Sequence, residues 1–315
     1  MKVKFTGVRI RRQRGVILLA FFAVLFIVAA GVFISVLDGN AVTQRRSNNI
    51  SAAMREAKES LIAYAALYAE YYNATNPGPG YLPCPDSNGD GAENLPCGAN
   101  SLGRLPQSIV LPNGNIFSLS NYNADVDEQF WYSVADNFRR SALGVLNSAT
   151  ISGTTLDGQG RVAAVLIAPG GANASQARPS NNSSRYLEDS NTTAPSFVSS
   201  TAVNPDLFND RVLTITIDEL MGPITRQVAD LLKTELDAYH VLNSTYPANI
   251  DFTAVNIAPT EAWFIANAWF ANSNYVQVSN NEATLTFTGC PNISYTVLYN
   301  PPNTPNDLRR TGLRC

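Results

Sequence analysis

The 315-residue chain is 45% hydrophobic and only 15% charged, so it can bury a sizeable core and hold more than one domain. Its formal net charge of -3 is unevenly spread: residues 1–15 hold six Lys or Arg and no acid, leaving 16 basic against 25 acidic groups beyond Gly15, a charge of -9. A body that acidic argues against a nucleic-acid partner, because clustered Lys and Arg supply most of that affinity.

Lys2, Lys4, Arg9, Arg11, Arg12 and Arg14 lead to Gly15, and Val16 then begins 22 residues without a charge, ending at Leu37. At about 1.5 Å per residue such a run is long enough, as a helix, to cross the ~30 Å hydrocarbon layer. Only a helix would satisfy its backbone there. The basic groups before the run outweigh Arg45 and Arg46 beyond it. The positive-inside rule therefore places the N-terminus in the cytoplasm and everything after about Asp38 outside. A secretory signal peptide fits less well: the run exceeds a usual signal core, and no small-x-small site follows in Val36-Leu37-Asp38-Gly39-Asn40. A plain signal anchor would look nearly the same.

A basic leader, a glycine, an uninterrupted apolar run and then a polar helix resembles the N-terminus of type IV pilins and type II secretion pseudopilins. The resemblance implies a prepilin peptidase cutting after Gly15, so that Val16 becomes the mature N-terminus. It implies an α+β lollipop fold, with a long N-terminal membrane-spanning helix packed on an antiparallel sheet. Other pilins or pseudopilins, an inner-membrane assembly platform and the lipid bilayer would be its partners. The chain would sit in a bacterial inner membrane with a periplasmic domain, or outside the cell in a pilus. Two positions depart from the family pattern, which has Phe after the glycine and Glu at the fifth mature position; here they are Val16 and Ala20. In the family that Glu is thought to pair with a neighbour's N-terminal amine, and a buried charge without its partner costs several kcal/mol. The pseudopilin that caps the secretion pseudopilus also lacks the Glu and starts with a similar Arg-Gly-Val-aliphatic stretch. Ala20 and a length above that of an average major pilin both point to a minor or tip subunit.

From about 41 to 73 the sequence predicts a helix continuing that run, with Gly39-Asn40 as a kink. Ala57, Leu61, Tyr64, Tyr68 and Tyr71 recur at three- and four-residue steps, with Arg55, Glu56, Lys58 and Glu59 mostly elsewhere. Pro77-Gly78-Pro79-Gly80 stops it. The organisation expected is a leader over 1–15, an apolar run over 16–37, the soluble half of the helix over 38–75, one α+β region over 76–210 and a second over 211–315.

Next comes Leu82-Pro83-Cys84-Pro85-Asp86-Ser87-Asn88-Gly89-Asp90-Gly91, followed by Gly103-Arg104-Leu105-Pro106. That order resembles a group of large pilin-like proteins of Gram-negative bacteria. The likeness extends loosely through Phe130-Trp131-Tyr132, Arg185-Tyr186-Leu187-Glu188 and Asn209-Asp210-Arg211-Val212 and is strongest before residue 110. Asp86, Asn88 and Asp90 at alternate positions match the first half of a calcium loop. The second half fails, since position twelve is Cys97, so Glu93 would have to serve in a shortened geometry. Asp86, Asn88, Asp90 and Glu93 are thus the candidate calcium ligands, against an Asx-rich turn pinned by cysteines. Cys84, Cys97, Cys290 and Cys315 are an even set beyond the apolar run, which suggests two disulfides. Local pairing, Cys84–Cys97 and Cys290–Cys315, is the most economical of the three connectivities. Neither pair is C-x-x-C, which disfavours zinc.

Phe130, Val134 and Phe138 predict a helix over 130–146, and Val162–Ile167 a buried strand. The Asn-, Ser- and Thr-rich stretch 171–205 reads as a long surface loop, carrying sequons such as Asn191-Thr192-Thr193. Val212–Ile217 alternates as a strand. Asp218 is the candidate N-cap of a helix to Leu242, with Val228, Leu231, Leu232, Leu236 and Tyr239 inward. The similar endings of this helix and the first leave room for a second pilin-like lobe. Ala262–Ala271 reads as a buried helix. Tyr275–Val278, Thr284–Phe287 and Ile293–Tyr299 form an antiparallel meander, and Cys290 staples the tail to it.

His240 is the sole histidine, no G-x-S-x-G elbow occurs, and Asp125, Asp127 and Glu128 read as a solvated run, so no catalytic constellation emerges and no enzyme is expected. The first functional reading is a structural prepilin-like subunit of a type IV pilus or secretion pseudopilus. The alternatives are a tip adhesin using the 171–205 loop and a signal-anchored periplasmic protein unrelated to filaments.

Overall fold

The computed structural model describes residues 44–72, 77–98, 101–119, 129–140, 144–200, 208–250, 261–299, 308–312 and 315. The chain divides into two units, Met1–Ala52 and Ala53–Cys315. In the first, residues 44–52 are helical, and Ser51 Oγ donates to Ser47 O (3.0 Å) across one turn. The leader, Gly15, Val16 and the apolar run 16–37 lie outside the described residues.

The second unit opens with helix α1 (53–71). Ala57, Leu61, Tyr64 and Tyr68 are buried as the stripe predicts, whereas Tyr71 is only half-buried. Tyr72, just past the last turn, takes the inner place by stacking on Tyr68 at 4.4 Å between ring centroids. Strands β1 (Leu102–Arg104), β4 (Trp131–Val134), β6 (Val162–Ala168) and β8 (Arg211–Thr216) form an antiparallel sheet in that order. Between them lie the hairpin β2 (Ser108–Val110) and β3 (Ile116–Ser118), and a short parallel pair, β5 (Thr155–Leu156) with β7 (Ser196–Phe197). Helix α2 (Ile217–Asn243) follows β8 directly, so the expected break at 210/211 falls at the start of a first-sheet strand. After the short helix α3 (Ala262–Ala266), strands β9 (Ser273–Ser279), β10 (Glu282–Phe287), β11 (Cys290–Leu298) and β12 (Leu308–Thr311) make a second antiparallel sheet.

This corrects the expected architecture. The described residues are not a lollipop built on one sheet and a membrane-spanning helix, with or without a second lobe of that kind. They are a mixed α and β body with several antiparallel sheets, and no described helix is long and apolar enough to cross a membrane. The reason lies in the charges. Arg55, Glu56, Lys58 and Glu59 interrupt α1, and Asp218, Glu219, Arg226, Asp230, Lys233, Glu235 and Asp237 line α2. Both are amphipathic helices for packing on a sheet.

All seven side chains of β6 are buried, so both its faces are covered. Val165 and Ile167 share one face with Trp131, which pairs with Ile167 across the ladder, and pack against Tyr186, Leu187 and Phe197. Segment 171–200 is therefore a surface layer, as its composition suggests, held to the sheet by apolar anchors. The helix expected over 130–146 is instead the central strand β4 and a 3-10 turn, Asp136–Phe138. Strand β4 is buried at every position, and the four-residue apolar spacing there mimics a helix stripe.

The N-cap of α2 is Thr216, not Asp218. Thr216 Oγ1 accepts from Glu219 N–H (3.2 Å), and Thr216 N–H donates to Glu219 Oε2 (2.9 Å), closing a capping box. Asp218 sits in the first turn, where it pairs with Arg161. The cap also anchors α1: Lys58 Nζ donates to Thr214 O (2.8 Å) and pairs with Glu219 Oε1 (2.6 Å). Thr225 Oγ1, on the next turns of α2, meets Tyr295 OH of β11 at 3.0 Å. The meander forms as expected, with β12 as an unforeseen fourth strand, and both local disulfides are present. Only Phe264 and Trp269 of the 262–271 stretch are fully buried apolar side chains, while Ile265 faces outward. At the β10–β11 turn Gly289 has φ +83°, and a Cβ there would lie 2.1 Å from Ser148 O, so the turn requires glycine.

Thr216→Ala should lower stability by about 1 kcal/mol, the usual cost of a lost cap, while Thr216→Ser stays near wild type. Urea unfolding of the two variants checks this, and an unchanged midpoint for Thr216→Ala would contradict the box.

Candidate functional site

The loop that follows α1 spends its carboxylates on its own backbone. Asp86, almost fully buried, accepts Gly89 N–H at Oδ1 (2.6 Å) and Gly91 N–H at Oδ2 (2.8 Å). Asp90 accepts Ala92 N–H (2.9 Å) and Asn88 Nδ2 (2.9 Å), and these two bonds hold its carboxyl below the usual range. Glu93 accepts Cys84 N–H at Oε2 (3.2 Å), and its Oε1 pairs with the Arg140 guanidinium. The four candidate calcium ligands are thus engaged in Asx turns and an ion pair. Among the described residues no group of three or more His, Cys, Asp or Glu could hold a metal ion. The Cys84–Cys97 disulfide closes the loop, as the Asx-turn reading has it.

Arg140 is the inward cation of this region. Its guanidinium also lies 4.5 Å from the ring centroid of Tyr72, within the cluster of Tyr64, Tyr68 and Tyr81. Burial pushes the Glu93 carboxyl up against the opposing pull of Arg140, and pushes the Tyr81 hydroxyl up to about 12. Gly103 lets β1 run against this loop. A Cβ there would stand 2.5 Å from Asp86 O, while Arg104 N–H donates to that same oxygen (2.7 Å).

The scattered stretches singled out in the sequence meet in one polar layer around the buried Arg104. Arg104 donates to Gln129 Oε1 (2.8 Å) and Ser180 O (2.7 Å) and lies 5.9 Å from the Trp131 ring centroid and 5.3 Å from that of Tyr186. Arg178 lies 4.6 Å from the Tyr186 centroid and donates to the carbonyls of Gly170 (2.7 Å) and Tyr186 (3.0 Å). Tyr132 OH donates to Pro83 O (3.2 Å). Beside this layer, Glu188 N–H donates to Asp210 Oδ2 (3.0 Å). Sequence reasoning flagged these stretches without assigning them a role; Arg178 and the Glu188–Asp210 contact it missed. Contacts between residues so far apart along the chain leave no local spacing to read.

His240 and Asn191 are taken up by contacts within the fold. His240 is buried rather than surface-facing: Nε2 lies 2.7 Å from Asn281 Oδ1, and the ring stacks on Tyr299 at 3.6 Å. Asn191 of the sequon is fully buried, donating to Asp210 Oδ2 (3.0 Å) and accepting Val198 N–H (2.9 Å), so it cannot carry a glycan. Gly15, Val16, Asp125, Asp127 and Glu128 lie outside the described residues. No family model, curated protein or solved structure matches the chain.

Arg140→Met should cost about 3–5 kcal/mol at neutral pH, because it leaves Glu93 buried without its cation. A carboxyl whose folded-state pKa is raised binds its proton more tightly when folded, so lowering the pH should recover part of that loss. Denaturant titrations of the variant at two pH values test this, and equal loss at both would contradict it.

Proposed function

We propose that the chain is a non-catalytic, prepilin-like subunit of a type IV pilus or type II secretion pseudopilus, cut after Gly15 and placed at or near a filament tip. The observation that carries this reading is the order of the N-terminal sequence: six basic residues, Gly15, then 22 uncharged residues ahead of a folded body. The two disulfides support export, since such bonds persist in oxidising compartments. The anchored chain would keep its N-terminus in the cytoplasm and its body in the periplasm. Engagement of His240 with Asn281 and Tyr299, and of Asp86 and Glu93 with their own loop, favours a structural role over an enzymatic one. Ala20 in place of the usual Glu favours a tip or minor position over the filament shaft.

Co-expression with a prepilin peptidase should shorten the wild-type chain by its leader and leave Gly15→Val at full length. Intact mass reads the difference. Identical processing of both chains, or none of either, would contradict the proposal.

A further inference from the structure

The segments around Glu188 and Asp210, 22 residues apart, are tied by two backbone-to-carboxylate bonds. Glu188 N–H donates to Asp210 Oδ2 (3.0 Å), and Asn209 N–H donates to Glu188 Oε2 (3.4 Å), which sets the two carboxylates side by side. Three side-chain amides complete the arrangement. Asn173 Nδ2 (3.2 Å) and Gln176 Nε2 (3.0 Å) donate to Glu188 Oε1, and Asn191 Nδ2 (3.0 Å) donates to Asp210 Oδ2. Asp210 is only 6% exposed, and its Oδ1 is buried with no donor, beside the Glu188 carboxyl. Two carboxylate oxygens are both acceptors, so they can bond only when one carries a proton.

Among the neighbouring charges, Arg178 donates to Gln176 Oε1 (2.7 Å), and the flanking Asp189 and Arg211 are exposed. Burial and the contact with Glu188 push Asp210 up to about 8.

We propose that Glu188 and Asp210 form a proton-gated clasp that fastens the covering segment 171–200 to β8, closed in acid and loosened as the pH rises. In the closed state one proton lies between the carboxyls, and the single remaining negative charge is spread over the surrounding N–H donors. Loss of that proton to solvent leaves the buried Asp210 carboxylate against that of half-buried Glu188, and lifting the segment separates them. The sign follows from linkage: an acid whose closed-state value lies above its ordinary value of about 4 binds its proton more tightly when closed. The clasp is therefore strongest below about pH 4, weakens through about 8 and changes little above it. Opening would uncover the face of the first sheet that carries Trp131, Val165 and Ile167.

The test is hydrogen exchange by mass spectrometry on the full chain in detergent, from pH 5 to pH 8, corrected for intrinsic exchange rates. Peptides over 171–200 should exchange at least about tenfold faster at the higher pH, while peptides over β10 and β11 stay constant. Asp210→Asn should remove the pH dependence, and Glu188→Gln should do so if the first variant fails to fold. A pH-independent wild-type segment, or a variant that tracks wild type, would overturn the clasp. Protection restored at pH 8 by calcium chloride in wild type would make the pair a cation site and overturn the proton reading.

Discussion

The structure depends on covering β6. A strand with every side chain buried must be packed on both faces, and the chain supplies a different cover to each. Helix α2 lies against β6 and β8 and continues onto β11 and β12. The opposite face is covered by 171–200, a segment with little regular structure, whose hold comes from Tyr186, Leu187 and Phe197. Each such side chain is worth roughly 1.5–3 kcal/mol on burial. That drags a polar backbone against an apolar sheet, and its polar groups then need partners. Arg178 reaching the carbonyls of Gly170 and Tyr186 meets that need, as do Arg104 on Ser180 O and Glu188 N–H on the Asp210 carboxylate.

The same logic explains which parts of the fold the sequence disclosed. Strand β6 was legible as a continuous apolar run, and β8, helix α2 and the meander because each carries its own period. The local disulfides were legible from spacing alone. Strand β4 was misread because Phe130, Val134 and Phe138 sit four apart although the strand is buried throughout. The anchors of the covering segment were missed because three apolar residues are diluted by Asn, Ser and Thr. Strand β12 follows residues outside the described set and pairs only through β11. Thr216 lost the cap to Asp218 on paper, since the choice between them turns on which residue stands three before Glu219 in the folded helix.

The site was legible only as a set of scattered stretches. The alternating acids at Asp86, Asn88 and Asp90 suggested cation chemistry, yet the backbone of the same loop consumes their oxygens. An unsatisfied carboxylate oxygen lies elsewhere, at Asp210, where long-range packing brings two acids together. Hydrogen-bond supply rather than acid density separates the two places. Helix, then a four-stranded antiparallel sheet in chain order, occurs twice in the second unit, and Lys58 and Thr225 tie the helices to the elements that follow.

The measurement that tests the central claim most directly is the N-terminal residue of the chain recovered from native membranes and sheared filaments. Val16, N-methylated, is the expected first residue in both fractions. An intact Met1 confined to membranes, or a soluble chain starting beyond Asp38, would contradict it.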